Sequence, residues 1–385
     1  MSKNKPLKIG IDARMYGPRS RGLGRYVQQL VDHLAQLDTY NEYYILLGPH
    51  NWDDFQTKNK NFVKILVKSH WYSWREQIFL PLLLWRLRLD IMHWPHFNVP
   101  LLYRGSFIVT IHDLIMSHYP DSRATTLPAW LYWLKLQAYR FVLRHAIIKS
   151  SSIITVSHFT KQDIERYYPQ VMHKISVTHL GFAVDHQISQ PVDLSHYGID
   201  RPYILYVGAA YPHKNLYRLL QAWKLLQPEL KDAYQLVLVG QRDWFYQTLQ
   251  DESREQQLDR NVVFTGYIYD KELPIFYQFS LAYIFPSYLE GFGLPAIEAQ
   301  SYGIPVLAAN NSSLPEVLAE SAVYFDPFDI NDIAAKMAKV ISNEDLRDKL
   351  KQAGYKNTQR FDWNKLAQQT KQIYTKVGQW LRSVQ

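Results

Sequence analysis

The chain has 385 residues, of which 47% are hydrophobic and 20% charged; this excludes a disordered polypeptide and fits two globular domains better than one. Because the sequence contains no cysteine, disulfides, thiolate metal sites and a cysteine nucleophile are excluded, and the composition suits a reducing compartment. Residues 1–180 carry 23 lysines and arginines against 12 acidic residues, whereas residues 181–385 carry 20 against 23. The positive charge therefore lies in the first half.

The amino-terminal residues run directly into a strand-like segment, without the apolar stretch of a secretory signal. The longest apolar run, Ile78–Trp85, is far shorter than the roughly 20 residues that span a membrane. We therefore predict a soluble or peripheral protein in the cytoplasm. Tryptophans interleave with basic residues at Trp71–Arg75, Trp85–Arg88 and Trp130–Lys135. Two interpretations stay open: helices lying against a membrane surface, or buried helices with solvated basic edges.

Short apolar runs alternate with helical stretches along the chain. In the first half the predicted strands are Leu7–Ile11, Tyr43–Leu47, Asp90–His93, Phe107–Ile111 and Ser152–Val156. In the second half they are Tyr203–Val207, Gln235–Val239, Asn261–Thr265, Leu281–Phe285 and Val306–Ala308. Apolar spacing predicts helices over Leu23–Gln36, Asn215–Leu226 and Asn331–Ile341. Strands this apolar are typical of parallel sheets covered by helices, so we predict a doubly wound α/β fold.

The strand–helix pattern restarts after a polar stretch, Gln187–Pro202, that lacks an apolar period. We place the linker there and predict two Rossmann-like domains, residues 1–188 and 200–360. Residues 361–385 are predicted to form one or two amphipathic helices.

The first candidate site follows the first predicted strand, in the segment Gly17–Tyr26. Its glycine spacing matches neither the dinucleotide fingerprint nor a P-loop, which counts against NAD and ATP. The segment is predicted to be a flexible glycine loop that opens a helix at the carboxyl end of a strand, where such sheets bind ligands. An ordinary strand–helix connection remains the alternative.

Histidines mark a second candidate site, since His112 directly follows the strand Phe107–Ile111. A histidine there can serve as a hydrogen-bond donor or base. The pair His112–Asp113 is weak evidence on its own, because most of the 14 histidines must be structural. His93 and His96 superficially resemble a metal pair, but no third ligand lies nearby in the sequence, and no metal site is expected.

A third candidate is Lys214, just after the strand Tyr203–Val207 and its terminal Gly208. Asn215 is predicted to cap the next helix. A lysine beside a helix amino terminus opposes the helix dipole unless an anion is shared, which favours phosphate binding. An exposed loop lysine is the alternative.

The fourth candidate is the segment Glu290–Glu298, which follows the strand Leu281–Phe285. Pro295 suits the first turn of a helix, and Gly291 and Gly293 allow close approach of the backbone to a ligand. The amino terminus of that helix is a natural diphosphate site. A plain strand–turn–helix connection explains the segment equally well when it is taken alone.

Taken together, these segments resemble the retaining GT-B glycosyltransferases of the GT4 type, nearest to a mannosyltransferase-like branch, over almost the whole chain. The first matching segments are Gly10–Arg14, Gly22–Tyr26, Ile111–Leu114, Thr155–Thr160 and His179–Phe182. The others are Tyr206–Gly208, His213–Asn215, Val263–Tyr267, Pro286–Ser287, Glu290–Glu298 and Ser312–Val317. The resemblance implies two domains facing a cleft, with the acceptor bound by the first, the donor by the second, and the carboxyl-terminal helix crossing back to the first.

The resemblance also implies residue roles. Glu290 contacts the transferred sugar and Glu298 the ribose, while His112 lies at the reaction centre. The other expected donor contacts are Gly22, Gly24, Gly208, Lys214, Gly266, Tyr267, Phe292, Gly293 and Leu294. Two positions depart from relatives, which often carry arginine where Ala209 and His213 stand. Arg25 or Arg242 is the candidate for the missing phosphate contact.

The resemblance implies hexosyl transfer without a metal or other cofactor, from a nucleotide sugar to a polysaccharide or a lipid-linked saccharide. GDP-mannose is the expected donor, and a UDP-hexose is the alternative. A glycosidase or phosphorylase, a sugar-nucleotide epimerase and a nonenzymatic carbohydrate-binding protein are the competing functions. Nucleic acid is not expected as a partner, because no nucleic-acid module is recognisable. Contact with the inner face of the cytoplasmic membrane would account for the basic, aromatic first half.

Overall fold

The computed structural model describes residues 5–120, 128–182, 193–269 and 271–384, and the chain divides into two compact units. The first unit contains residues 5–118, 128–181 and 362–384, and the second contains residues 119–120, 182, 193–269 and 271–361. Among the described residues, the chain changes unit between His118 and Tyr119, between Gly181 and Phe182, and between Phe361 and Asp362. The predicted boundary at residue 188 and the first part of the predicted linker, residues 187–192, lie outside the described residues; Leu194–Tyr197 form a short 3-10 turn.

The first unit is built on a seven-stranded parallel sheet with the order β3-β2-β1-β4-β5-β6-β7. Its strands are β1 (Lys8–Asp12), β2 (Glu42–Leu47), β3 (Phe62–Leu66), β4 (Ile91–Trp94), β5 (Phe107–Ile111), β6 (Ser152–Thr155) and β7 (Ile175–Val177). All five residues of β5 are buried, because a central parallel strand is covered by helices on both faces.

Within the described residues, six helices belong to this unit. They are α1 (Arg21–Leu37), α2 (Trp74–Leu87), α3 (Ile115–His118), α4 (Ala129–Lys149), α5 (His158–Tyr167) and α14 (Trp363–Val384). The carboxyl-terminal helix α14 packs against α1 and β4. The crossing of the carboxyl-terminal helix to the amino-terminal unit is therefore confirmed, and it consists of one long helix. Among the described residues, no helix is long and apolar enough to cross a membrane.

The second unit contains a six-stranded parallel sheet with the order β10-β9-β8-β11-β12-β13. Its strands are β8 (Tyr203–Val207), β9 (Gln235–Val239), β10 (Val262–Gly266), β11 (Ala282–Phe285), β12 (Val306–Ala309) and β13 (Ala322–Phe325). Its helices are α6 (Leu216–Lys224), α7 (Pro228–Ala233), α8 (Trp244–Glu255), α9 (Leu273–Gln278), α10 (Leu294–Ser301), α11 (Leu314–Leu318), α12 (Ile330–Ser342) and α13 (Glu344–Thr358).

The predicted doubly wound α/β fold is confirmed, and all ten predicted strands are present, with ends that match or differ by one residue. The three strands that sequence analysis missed are β3, β7 and β13, and each lies at an edge of its sheet. Edge strands have a neighbour on one side only, so part of their surface remains open and the apolar run is weaker. Val63 and Leu66 of β3, for example, are exposed.

Candidate functional site

The candidate site of the second unit lies where the strand order reverses, between β8 and β11. Parallel sheets bind ligands beside the carboxyl ends of the two strands at such a reversal. The segment after β8 contains Lys214, and the segment after β11 contains Glu290. Two segments that sequence analysis singled out separately therefore meet at one place.

Lys214 and Glu290 form an ion pair, with Nζ 2.6 Å from Oε1 and side chains only 18% and 10% exposed. The ammonium group also lies 5.7 Å from the ring centroid of Phe285, the last residue of β11. Sequence analysis expected an anion beside Lys214. In this structure the anion is the Glu290 carboxylate.

Asn215 has a different local role from the predicted one. It occupies the position before α6 in a left-handed conformation, with φ 60°, but its side chain makes no capping bond. Instead, Nδ2 donates hydrogen bonds to the carbonyls of Pro286 at 3.1 Å and Pro327 at 2.8 Å. The capping prediction is wrong because the buried amide is used to tie the loop after β8 to the loop after β11.

Two serines hold the backbone of Glu290. Its N–H donates to Oγ of Ser312 at 3.2 Å, and its carbonyl accepts from Oγ of Ser313 at 2.9 Å. Ser312 adopts φ 54°, a conformation that costs energy in a non-glycine residue and persists where surrounding contacts enforce it. Sequence analysis noted these serines only as part of a family pattern and assigned them no role.

The helix α10 begins directly after the Glu290 loop. Gly293 stands before its first residue, Leu294, with φ 103°, and a Cβ there would lie 2.8 Å from Cδ2 of Leu314. Only glycine fits this position. Phe292 is buried and packs edge-on against Phe361, with ring centroids 5.4 Å apart. These contacts fix the position at which α10 begins. The backbone N–H groups of its first turn point out of that end of the helix.

Glu298 lies further along α10 and has other partners. It accepts a hydrogen bond from the hydroxyl of Tyr277 at 3.3 Å, and Tyr277 stacks on Tyr302 with ring centroids 5.5 Å apart. The two glutamates therefore have different partners, Lys214 for Glu290 and Tyr277 for Glu298.

The remaining predicted donor contacts of this unit lie at the ends of β8 and β10. Gly208 donates its N–H to the carbonyl of Val239 at 2.9 Å. Gly266 ends β10 with φ 79°, and a Cβ on it would lie 2.8 Å from Nε of Arg242. Tyr267 follows and is 61% exposed. Arg242 and an exposed tyrosine thus flank the same glycine.

His213 is neutral at physiological pH, because burial and then the charge of Lys214 lower its pKa to about 4. It adds no positive charge to the site. Arg218, which sequence analysis did not consider, donates a hydrogen bond to the hydroxyl of Tyr288 in the Glu290 loop. The Tyr288 N–H in turn donates to the carbonyl of His213 at 2.8 Å. Arg218 lies in the first turn of α6, four residues after Lys214, so its closeness to the predicted site could have been noticed in the sequence.

In the first unit, the predicted flexible glycine loop is wrong in its extent. Pro18–Ser20 form a 3-10 turn and α1 starts at Arg21, so Gly22 and Gly24 lie in the first turn of a helix. A Cβ on Gly24 would lie 2.1 Å from the carbonyl oxygen of Gly17, whereas nothing lies within 4 Å of a Cβ on Gly22. Gly24 serves close packing, which helix periodicity does not reveal. Arg25 follows it and is exposed.

His112 lies at the carboxyl end of β5, as predicted. Its Nε2 is 2.9 Å from the carbonyl oxygen of Pro95. Because a carbonyl only accepts, Nε2 carries the proton and Nδ1 is an acceptor. Burial lowers the pKa of His112 to about 4, so the ring is neutral at pH 7. It is suited to accept a hydrogen bond and not to donate a proton.

His93 belongs to a buried network across the sheet. Its Nδ1 is 2.6 Å from the hydroxyl of Tyr374 in α14, and its Nε2 is 2.8 Å from Oγ1 of Thr110. The hydroxyl of Tyr26 in α1 lies 3.0 Å from the same Oγ1 of Thr110 and extends the network. Both ring nitrogens are used, so His93 has none left for an ion. Burial lowers the pKa of His93 and of His96 to about 3.

Comparison with known proteins assigns each unit to a family model. A model described as Glycosyltransferase Family 4 matches residues 20–186, and one described as Glycosyl transferases group 1 matches residues 195–357. O-antigen chain mannosyltransferase B of Escherichia coli is 29% identical over 380 residues, which cover 92% of this chain and 95% of that protein. O-antigen chain mannosyltransferase RfbU of Salmonella typhimurium is 27% identical over 287 residues, covering 74% and 71%.

Solved structures show the same fold. Sucrose-phosphate synthase from Thermosynechococcus elongatus matches with a TM-score of 0.73 at 20% identity, covering 96% of this chain and 99% of that one. The structure of WaaG, a glycosyltransferase involved in lipopolysaccharide biosynthesis, matches with a TM-score of 0.70 at 17% identity, covering 94% and 98%.

Proposed function

Since the chain belongs to the glycosyltransferases that combine a family 4 domain with a group 1 domain, we propose that it transfers mannose from GDP-mannose with retention of configuration. The proposed acceptor is a polysaccharide or a lipid-linked saccharide. The choice of mannose is supported by the relatives, which are named as O-antigen mannosyltransferases and resemble this chain at 27% and 29% identity.

The observation that supports the donor site best is the Lys214–Glu290 pair at the strand-order reversal of the second unit. A diphosphate carries more negative charge than a carboxylate, so it competes with Glu290 for the lysine. In the proposed exchange, Lys214 turns to the phosphate, and the released carboxylate accepts hydrogen bonds from sugar hydroxyls. The ion pair keeps both groups in place before the donor arrives.

The bond between the anomeric carbon and the diphosphate oxygen breaks as negative charge develops on the leaving phosphate. Lys214 and the backbone N–H groups of Gly293 and Leu294 stabilise that charge. The acceptor hydroxyl then bonds to the anomeric carbon on the face that the phosphate leaves, and its proton passes to a phosphate oxygen. Because these groups already supply the positive charge, we propose that the reaction needs no metal and no other cofactor.

The other predicted contacts take supporting roles in this proposal. Glu298 binds the ribose hydroxyls, and the base packs beside Gly266 and Tyr267, where Arg242 is the candidate for an additional phosphate contact. In the first unit, the neutral imidazole of His112 accepts a hydrogen bond from a reacting sugar. Gly208, Gly22, Gly24, Phe292 and Arg25 remain predicted donor contacts. We place the reaction in the cytoplasm, at the inner face of the membrane where a lipid-linked acceptor is available.

A donor screen tests the proposal directly. Purified protein is heated with GDP-mannose, UDP-glucose or the free nucleotides, and a donor at 100 times its dissociation constant stabilises it by about 2.7 kcal/mol. We expect the largest shift with GDP-mannose. A larger shift with UDP-glucose would identify UDP-glucose as the donor in place of GDP-mannose. No shift with any nucleotide sugar would contradict the proposed donor site.

The reaction itself is tested with the donor found in that screen. Release of nucleotide that depends on a saccharide acceptor distinguishes transfer from glycosidase and epimerase activity. The anomeric configuration of the product, measured by NMR, tests retention; an inverted linkage would contradict the proposed geometry of attack.

A further inference from the structure

The outer surface of the first unit carries an aromatic layer that the transfer reaction does not use. The helices α2 and α4 pack their inner faces into one core: Leu80 and Leu84 of α2 and Leu143 of α4 belong to the same buried cluster, together with residues of β4 and β5. The two helices therefore lie on the same side of the sheet, and their other faces point outward together.

Six aromatic side chains of these helices are at least 56% exposed. They are Trp74, Phe79 and Trp85 on α2, and Trp130, Trp133 and Phe141 on α4. We call this surface the aromatic face. Large exposed apolar surfaces in a soluble domain mark interaction sites, and tryptophan in particular favours the boundary between water and lipid.

The charges around the aromatic face have one sign. Both helices together contain six basic residues, all exposed: Arg75, Arg86, Lys135, Arg140, Arg144 and Lys149. Their one acidic residue, Glu76, is completely buried and pairs with Arg14 at 2.5 Å. Glu76 also accepts two hydrogen bonds from Asn98, each of 3.1 Å. The acidic group is thus withdrawn into the protein, and the surface presents only cations.

We propose that the aromatic face docks on a membrane surface that contains anionic lipids. The aromatic rings enter the boundary between headgroups and acyl chains, and the surrounding arginines and lysines contact lipid phosphates. A second copy of this chain is a poorer partner, because self-association through this face would set cations against cations. A nucleic acid would match the charge but would leave much of the apolar surface uncovered.

This inference deepens the proposed function, because a lipid-linked acceptor lies in the membrane to which the face would bind. It does not depend on the sugar donor. A vesicle-binding experiment without donor or acceptor therefore gives a result that is separate from the donor screen.

The test is flotation of the full-length protein with vesicles of phosphatidylcholine, with and without phosphatidylglycerol. We expect binding to the anionic vesicles that weakens as salt is added. The variant Arg86→Gln with Arg140→Gln should lower the partition coefficient about 30-fold. The variant Trp85→Ser with Trp133→Ser should lower it at least about tenfold.

Matched controls lie in the second unit. Lys349→Gln with Lys356→Gln removes two exposed cations of α13, and Phe279→Ser removes an aromatic ring that is 66% exposed. Both control proteins should bind vesicles like the parent, and thermal unfolding should confirm that every variant is folded.

Four outcomes would overturn the proposal. The first is no binding to anionic vesicles, and the second is binding to neutral vesicles that equals binding to anionic vesicles at all salt concentrations. The third is that the control variants lose as much vesicle binding as the aromatic-face variants, and the fourth is that the aromatic-face variants lose none. Light scattering and gel shifts with single-stranded RNA examine the two other partners. If the aromatic-face variants abolish dimerisation or RNA binding while vesicle binding is unchanged, the face serves that partner instead.

Discussion

The Lys214–Glu290 pair allows a sharp test, because its two single variants and its double variant should affect stability and activity differently. Lys214→Met leaves the Glu290 carboxylate, which is 10% exposed, without its cation. Removing one partner of a buried ion pair costs about 3–5 kcal/mol. In a unit of this size each kcal/mol lowers the melting temperature by about 2–4 °C, so we expect a decrease of roughly 6–20 °C.

The double variant Lys214→Met with Glu290→Gln contains no uncompensated charge and should recover most of that stability. Its transfer activity should not recover, since each single substitution removes a group that the proposed mechanism places at the donor, and we expect each to cost about 100-fold or more. Lys336→Met is the control. It breaks a Lys336–Asp332 pair at 3.7 Å with side chains 35% and 32% exposed, and should cost less than about 1 kcal/mol.

Calorimetry and initial rates at a temperature where all variants are folded provide the two measurements. Two results would contradict the predicted contribution of the ion pair to stability. One is a Lys214→Met variant as stable as the parent, and the other is a double variant whose loss of stability equals the sum of the two single losses. Near-normal transfer by Lys214→Met or Glu290→Gln would remove that residue from the mechanism.

Three further predictions concern the first unit. Gly24→Ala should destabilise the protein because its Cβ would meet a backbone carbonyl at 2.1 Å, whereas Gly22→Ala should stabilise α1 by about 0.5–1 kcal/mol; equal melting temperatures would contradict the tight contact. Tyr374→Phe should cost about 1–3 kcal/mol by leaving a buried nitrogen of His93 unpaired, measured by urea unfolding against Tyr217→Phe, which changes an exposed ring. The depressed pKa of His93, about 3, means that the unfolded chain takes up the proton first: stability is complete above about pH 6.5 and falls as the pH drops. Between pH 7 and pH 5, His93 alone should lower the free energy of unfolding by about 2 kcal/mol. Urea unfolding of His93→Gln should show a pH dependence that is smaller by that amount, and an unchanged pH dependence would contradict this role of His93.

The central strands and the doubly wound fold could be predicted because burial on both faces requires uninterrupted apolar runs. That requirement is relaxed at a sheet edge. The strand β3 was missed because the polar residue Lys64 interrupts its apolar run. A sequence pattern that depends on complete burial is therefore weakest for strands that have a neighbour on one side only, although the edge strand β10 was apolar enough to be predicted.

The two residues of the candidate site could be identified separately, because Lys214 lies just before the helix α6 and Glu290 just before α10. Their pairing could not be identified, because Lys214 and Glu290 are 76 positions apart and only the order of the strands brings them together. For the same reason, the support of Glu290 by Ser312 and Ser313 was invisible, as side-chain to backbone contacts between distant loops have no periodicity. Asn215 shows the opposite case. Asparagine commonly caps helices, but this side chain bonds to the distant carbonyls of Pro286 and Pro327.

The two units differ in how their sequences are arranged. The first unit is discontinuous, because residues 362–384 with the helix α14 belong to it although they follow the second unit in the sequence. A chain truncated after residue 361 should therefore keep a protease-resistant second unit. Its first unit would lack the helix that packs against α1 and β4, and with it the Tyr374 hydroxyl that contacts His93.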